Sequence, residues 1–116
     1  MSRRAAEQRG HWGEQRAAWW LRFHGWSIIA RRVKTRHGEI DLIARRWRTV
    51  AFVEVKTRAT AAELDLAIDQ HRLKRVAAAT HALAATYARP ADTIRIDVIL
   101  VAPRLWPRHL KNVWYD

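Results

Sequence analysis

Two segments near the middle of the chain restrict its fold more than any others: Gly38-Glu-Ile-Asp-Leu-Ile-Ala44 and Phe52-Val-Glu-Val-Lys-Thr-Arg58. Both are rich in branched apolar residues, the pattern of β-strands, and a basic turn from Arg45 to Arg48 separates them. Strand side chains alternate faces with a period of two. Glu39, Asp41 and Ile43 should therefore share one face, and Glu54 and Lys56 one face of the next strand. With Asp41 and Glu54 turned the same way, two carboxylates and an ammonium meet on an otherwise apolar sheet. Burying charges is costly, so acids inside apolar strands need a partner that offsets the cost. A hard divalent cation is such a partner, and a site of that kind can cut a phosphodiester.

The rest of the chain supplies an α/β frame for this hairpin. From Ala5 to His24 the pattern is helical, with Gly25 as a C-terminal stop. Trp26 to Val33 reads as a first strand and Lys34 to His37 as a polar turn. Glu39 to Ala44 and Thr49 to Thr57 are the second and third strands. Ala59 to Glu63 reads as a loop. Leu66, Leu73, Val76, Ala77, Thr80, Leu83 and Tyr87 recur every three or four positions, predicting an amphipathic helix from Leu64 to Ala88. Arg89-Pro90 ends it. Thr93 to Val101 alternates as a fourth strand, and Leu110 to Tyr115 adds a short edge element. The order α-β-β-β-α-β plus a short C-terminal element implies a mixed sheet flanked by helices. In it a meander is joined to the fourth strand by a helical crossover. At 116 residues the chain, 1–116, is one domain, with 1–9 expected to be a flexible N-terminal segment.

Charge narrows the partner class. The chain has 22 Lys and Arg against 11 Asp and Glu, a net charge of +11, and Arg dominates the basic residues. So basic a small domain suits a polyanion, and guanidinium forks suit phosphate oxygens. Nucleic acid is the expected partner; the competing reading is a chain that is simply Arg-rich. The absence of cysteine excludes a disulfide scaffold and a thiolate metal site, and fits a reducing cytoplasm. No apolar run approaches the ~20 residues that span a bilayer, so no membrane partner is expected. Met1 to Gly10 lacks the apolar core of a secretory signal.

For the acids, Mg²⁺ or Mn²⁺ needs only one or two carboxylates plus waters and a substrate phosphate. Asp41 and Glu54 meet that need, with the Val55 carbonyl at the same level. Lys56, two residues beyond Glu54, could orient water or stabilise the phosphate in the transition state. The plainer alternative is a strand salt bridge between Lys56 and a neighbouring carboxylate.

The same residues carry a resemblance. Gly38 to Ala44 and Phe52 to Arg58, with Gly13-Glu14, Ala17-Ala18, Trp20-Leu21 and Arg95-Ile-Asp-Val98, resemble the YraN-type family. Its members are small bacterial proteins with a restriction-endonuclease-like fold, similar to archaeal Holliday junction resolvases. The resemblance implies an Asp…Glu-x-Lys nuclease core at Asp41, Glu54 and Lys56, with a helical acid at Glu14. Glu14 lies on the helical stripe of Ala17, Ala18 and Leu21, which is consistent with that role. Ile40 stands where the superfamily motif has Pro. Gln70 is followed four residues later by Lys74 where wider relatives carry Tyr, so Gln70 and Lys74 could still reach a phosphate.

The remaining candidates have two readings each. Glu39 is a ligand or supporting acid, or a partner of Arg32, Arg36 or Arg58. Asp97 reads as a structural salt bridge with Arg95. Arg45, Arg46 and Arg48 are nucleic-acid contacts or a solvated hairpin tip, with Arg58 and Arg72 as further basic candidates. Of the adjacent Trp19 and Trp20 only one can enter the core, leaving the other for a partner surface. The sum is an expected Mg²⁺- or Mn²⁺-dependent endonuclease for structured DNA, branched junctions included. The alternative is a non-catalytic nucleic-acid-binding module in DNA repair or recombination. Symmetric cutting of a four-way junction would require a homodimer.

Overall fold

A computed structural model describes residues 3–65 and 69–114. The order is α1 (Arg3–Phe23), β1 (Ser27–Lys34), β2 (Glu39–Arg46), β3 (Thr49–Thr57), α2 (Ala61–Asp65), α3 (Gln70–Tyr87), β4 (Thr93–Val101) and β5 (Arg108–Leu110). One five-stranded sheet runs β1-β2-β3-β4-β5. Neighbours are antiparallel except β3 and β4, which are parallel across the α2–α3 crossover. This is the mixed sheet flanked by helices that the apolar patterning implies.

Helix α1 covers one face of the sheet. Ala17, Ala18 and Leu21 pack on Leu42, Ala44, Ala51, Val53, Ile99 and Val101. On the other face Val76 and Ala79 of α3 meet Ile43, Val50, Phe52 and Ile96. Leu64 of α2 and Leu73 of α3 close the end of that face over Val98 and Leu100. Gly25, with φ +85°, ends α1, and the Trp26 amide donates back to the Leu21 carbonyl across the turn. A Cβ on Gly13 would collide with Thr57 Oγ1, so this glycine permits the close approach of α1 to β3.

Two expectations are corrected. The long helix from Leu64 is two helices, because Asp69 is an extended N-cap whose carboxylate accepts from the His71 amide and starts α3 afresh. Leu66, which extended the apolar stripe, lies outside the described residues. The basic turn is only Trp47-Arg48: Arg45 and Arg46 belong to β2, opposite Val50 and Thr49. Helix α1 starts at Arg3, two residues before the helical pattern of the sequence begins.

Candidate active site

The register brings the two central acids together. Leu42 is opposite Val53, the last β2–β3 pair at that end, and Asp41 and Glu54 come next on their strands. There the ladder ends, and Asp41 Oδ2 accepts the Val55 amide at 2.8 Å in place of a backbone bond. Glu54 continues the alternation of Phe52 and points to the α3 side, where it is only 2 % exposed. Its Oε1 receives Arg72 Nε at 2.7 Å, and Lys56 Nζ lies 3.3 Å away. Lys56, also buried, follows two residues later on the same face.

The electrostatics show how crowded the acids are. Burial, then the charge of Glu54, pushes Asp41 from 3.8 to about 7; Glu14 adds to the rise, while the Val55 bond and Arg72 oppose it. Burial lowers the Lys56 ammonium from its ordinary value, against the attraction of Glu54. Glu14 therefore lies near enough to influence Asp41, as the close α1–β3 packing at Gly13 permits.

Glu14 is held by Arg32, whose Nη2 is 2.7 Å from Oε2. Arg32 itself has φ +51°, a left-handed backbone rare for a side chain of this size. Its neighbours pair as Arg31 with Leu42 and Val33 with Ile40. Across this point strict alternation fails: Leu42 packs toward α1, yet both Ile40 and Ile43 pack toward α3. Glu39 consequently emerges beside His11, Glu14 and Arg32, not on the face of Ile43. That corrects the expected shared face, and the left-handed Arg32 on the neighbouring strand marks where the alternation breaks.

The donor set can be tested against a divalent cation. Among the described residues, hydrogen bonds reach Oδ2 of Asp41 and Oε1 of Glu54, leaving Oδ1 and Oε2 without one. Hard oxygen donors with surplus negative charge around Asp41 suit Mg²⁺ or Mn²⁺. Among the described residues no group of three or more His, Asp or Glu side chains is arranged to hold a metal ion, so Glu14, Asp41 and Glu54 are not gathered into the three-ligand set expected. The fit is thus to an open two-carboxylate site at Asp41 and Glu54, with Glu14 held to one side by Arg32.

The basic candidates separate by what they touch. Arg45 is tied to Asp92 at 2.7 Å. Arg46 lies over the Trp26 ring, 4.6 Å from its centroid, and donates to the His24 carbonyl. Arg58 is half-buried and donates to the Thr57 carbonyl. Arg48 is exposed at the hairpin tip, and Gln70 and Lys74 are exposed on the first turns of α3. Arg72, expected as a nucleic-acid contact, is instead the partner of Glu54, with its side chain still 56 % exposed. Asp97 is fully buried and bonded to Arg95, as expected, and also to His109 and the Asn112 amide. Neither the Arg72–Glu54 nor the Arg32–Glu14 contact has a signature in local spacing, since each joins separate elements.

The comparisons with known proteins agree with one another. The profile of the Uncharacterised protein family UPF0102 matches residues 13–101, which hold every residue of the carboxylate site. A UPF0102 protein of Sphingopyxis alaskensis is 63 % identical over 114 residues, 98 % of each chain. One from Rhizorhabdus wittichii is 61 % identical over 116 residues, 99 % of this chain and 98 % of its own. One from Methylorubrum populi is 47 % identical over 113 residues, 97 % of this chain and 90 % of its own. No helix among the described residues is long and apolar enough to cross a membrane. The chain belongs to the UPF0102 family, the YraN-type family its strand motifs resemble.

Proposed function

We propose that this protein is a metal-dependent endonuclease acting on structured DNA, with a restriction-endonuclease-like core, working in the cytoplasm. The observation that carries the reading is the meeting of Asp41 and Glu54 where the β2–β3 ladder ends, with Lys56 beside them. Mg²⁺ or Mn²⁺ held by these two carboxylates would supply Lewis acidity toward a phosphoryl oxygen and a lowered pKa for water. Lys56 places a partly desolvated ammonium beside Glu54, where it can position a water or balance charge building on the phosphate. Arg72 neutralises Glu54 from the solvent side and can turn its exposed guanidinium toward the same phosphate. Gln70 and Lys74, exposed on the first turns of α3, and Arg48, exposed at the far tip of the hairpin, are the side chains we assign to the phosphate backbone, contacts that give affinity without sequence information. A symmetric cut of a branched junction would call for two copies.

One observation favours the rival binding module: Glu54 already has two cationic partners without any metal. A single assay separates the readings. Wild type, Glu54→Gln and Lys56→Ala, purified identically and checked for folding, are incubated with branched, duplex and single-stranded DNA in Mn²⁺. Cleavage by wild type alone, with binding kept by all three, supports the nuclease. Binding without cleavage in wild type leaves the module, and equal cleavage by all three sinks the assigned site.

A further inference from the structure

Helix α1 carries a second surface that the carboxylate site does not use. Trp20 turns toward the core, but Trp19 is 60 % and Phe23 83 % exposed, with their rings 6.5 Å apart. Across from them Trp106, on the segment between β4 and β5, is 81 % exposed and packs 6.3 Å from Trp20. Between α1 and this segment opens a cleft of about 200 Å³ bordered by these four rings and Arg16. Contiguous exposed aromatic surface of this kind marks an interaction site.

We infer that this cleft is a stacking platform for unpaired bases of the nucleic-acid substrate. Charge selects that occupant over a second copy of the chain. The guanidinium of Arg22 sits over the Trp19 ring at 5.6 Å and that of Arg16 over Trp12 at 5.0 Å. Trp12 lies outside the cleft, but Arg16 lines it and Arg22 sits over Trp19, so cations border the aromatic surface, as they do where a phosphate backbone is tracked while the bases stack. A net charge of +11 on each chain opposes bringing two such faces together. Trp19 follows Glu14 by five residues on the same helix, on the order of 8 Å along its axis. The two side chains are also about 140° apart around α1, so a strand leaving the carboxylate site would cross over the helix to meet the platform. The inference rests on the nucleic-acid reading above, and it specifies the substrate: a duplex with an unpaired stretch beside the scissile phosphate.

The test is equilibrium binding in EDTA, read by anisotropy of labelled DNA. The probes are a blunt duplex, the same duplex with a single-stranded tail, and the tail alone. The proteins are wild type, the double variant Trp19→Ala with Trp106→Ala, and the double variant Trp19→Tyr with Trp106→Tyr. Both rings are solvent-exposed, and circular dichroism checks that each variant is folded. The alanine pair should lose about tenfold or more in affinity for the tailed and single-stranded probes and keep its affinity for the blunt duplex. The tyrosine pair should recover most of the loss. Unchanged affinity for the tailed probe, or equal loss on blunt and tailed probes, overturns the platform and leaves the nuclease reading standing. A wild-type dimer that the alanine pair dissociates in sedimentation overturns it in favour of self-association. Failure of wild type to bind any probe overturns both proposals.

Discussion

Replacing Asp41 by Asn tests the carboxylate cluster without any assumption about substrate. Asparagine keeps the size of the side chain and an oxygen for the Val55 amide, but it cannot ionise. In the folded protein burial, together with Glu54 and Glu14, pushes Asp41 from 3.8 to about 7. A carboxyl whose folded value is raised favours folding while it is protonated. That contribution is fully present below about 4 and is lost as pH rises through about 7. The gap, at about 1.36 kcal/mol per pH unit, amounts to at most about 4 kcal/mol of destabilisation by the ionised form. Urea unfolding in EDTA, stepped from acid to mildly alkaline pH, should show the two proteins converging at the acid end. The variant should become progressively more stable than wild type up to neutrality, with a plateau above it. Mn²⁺ should then raise the stability of wild type more than that of the variant. A pH-independent difference, or a less stable variant at alkaline pH, would refute the buried, acid-crowded setting of Asp41.

Other perturbations follow from the same geometry. Asp97→Ala should cost about 3–5 kcal/mol in denaturant unfolding, because it strands Arg95 and His109 around a buried site. Burial works against the Asp97 charge, but bonds from His109, Arg95 and Asn112 hold the group below the ordinary carboxylate range. Its stabilisation is therefore present above the unfolded value and lost as pH falls through the folded one, so wild type and Asp97→Ala should draw together in acid. Gly13→Ala should lower the melting temperature despite a helix-propensity gain of about 1 kcal/mol, because the new methyl meets Thr57 Oγ1. Adding Thr57→Ala to that variant should recover stability. Arg48→Ala should reduce the salt dependence of DNA binding by about one unit of log–log slope with little effect on folding. Arg46→Ala should instead destabilise the fold by exposing Trp26.

How far the sequence spoke for itself depended on the range of each interaction. The third and fourth strands were legible to the residue, because Thr49–Thr57 and Thr93–Val101 are bounded by turn signals and buried along most of their length. That Asp41 and Glu54 lie at the same level of adjacent strands, just past the last ladder pair, was legible too, since a short hairpin fixes its own register. The side of the sheet taken by Glu39 was not, because the period of two breaks within β2, where Ile40 and Ile43 both pack toward α3. The start of α3 was obscured by an apolar stripe that continues through a capping aspartate. Arg72 looked like any basic helix residue. Only the crossover that lays α3 on the sheet brings it to Glu54.

The parallel seam between β3 and β4 carries a consequence for the nascent chain. Strands β1 to β3 are joined by tight turns and can zip locally, whereas β4 can dock only after α2 and α3 have been made. Until then one edge of β3 stands open, its backbone groups from Thr49 to Thr57 not yet paired with β4, an inviting template for a stray strand from another molecule. Glu54 and Lys56 lie farther along the same strand, and without Arg72 in place their charges should make this edge a poorer template for an apolar strand than its valines and phenylalanine alone would be.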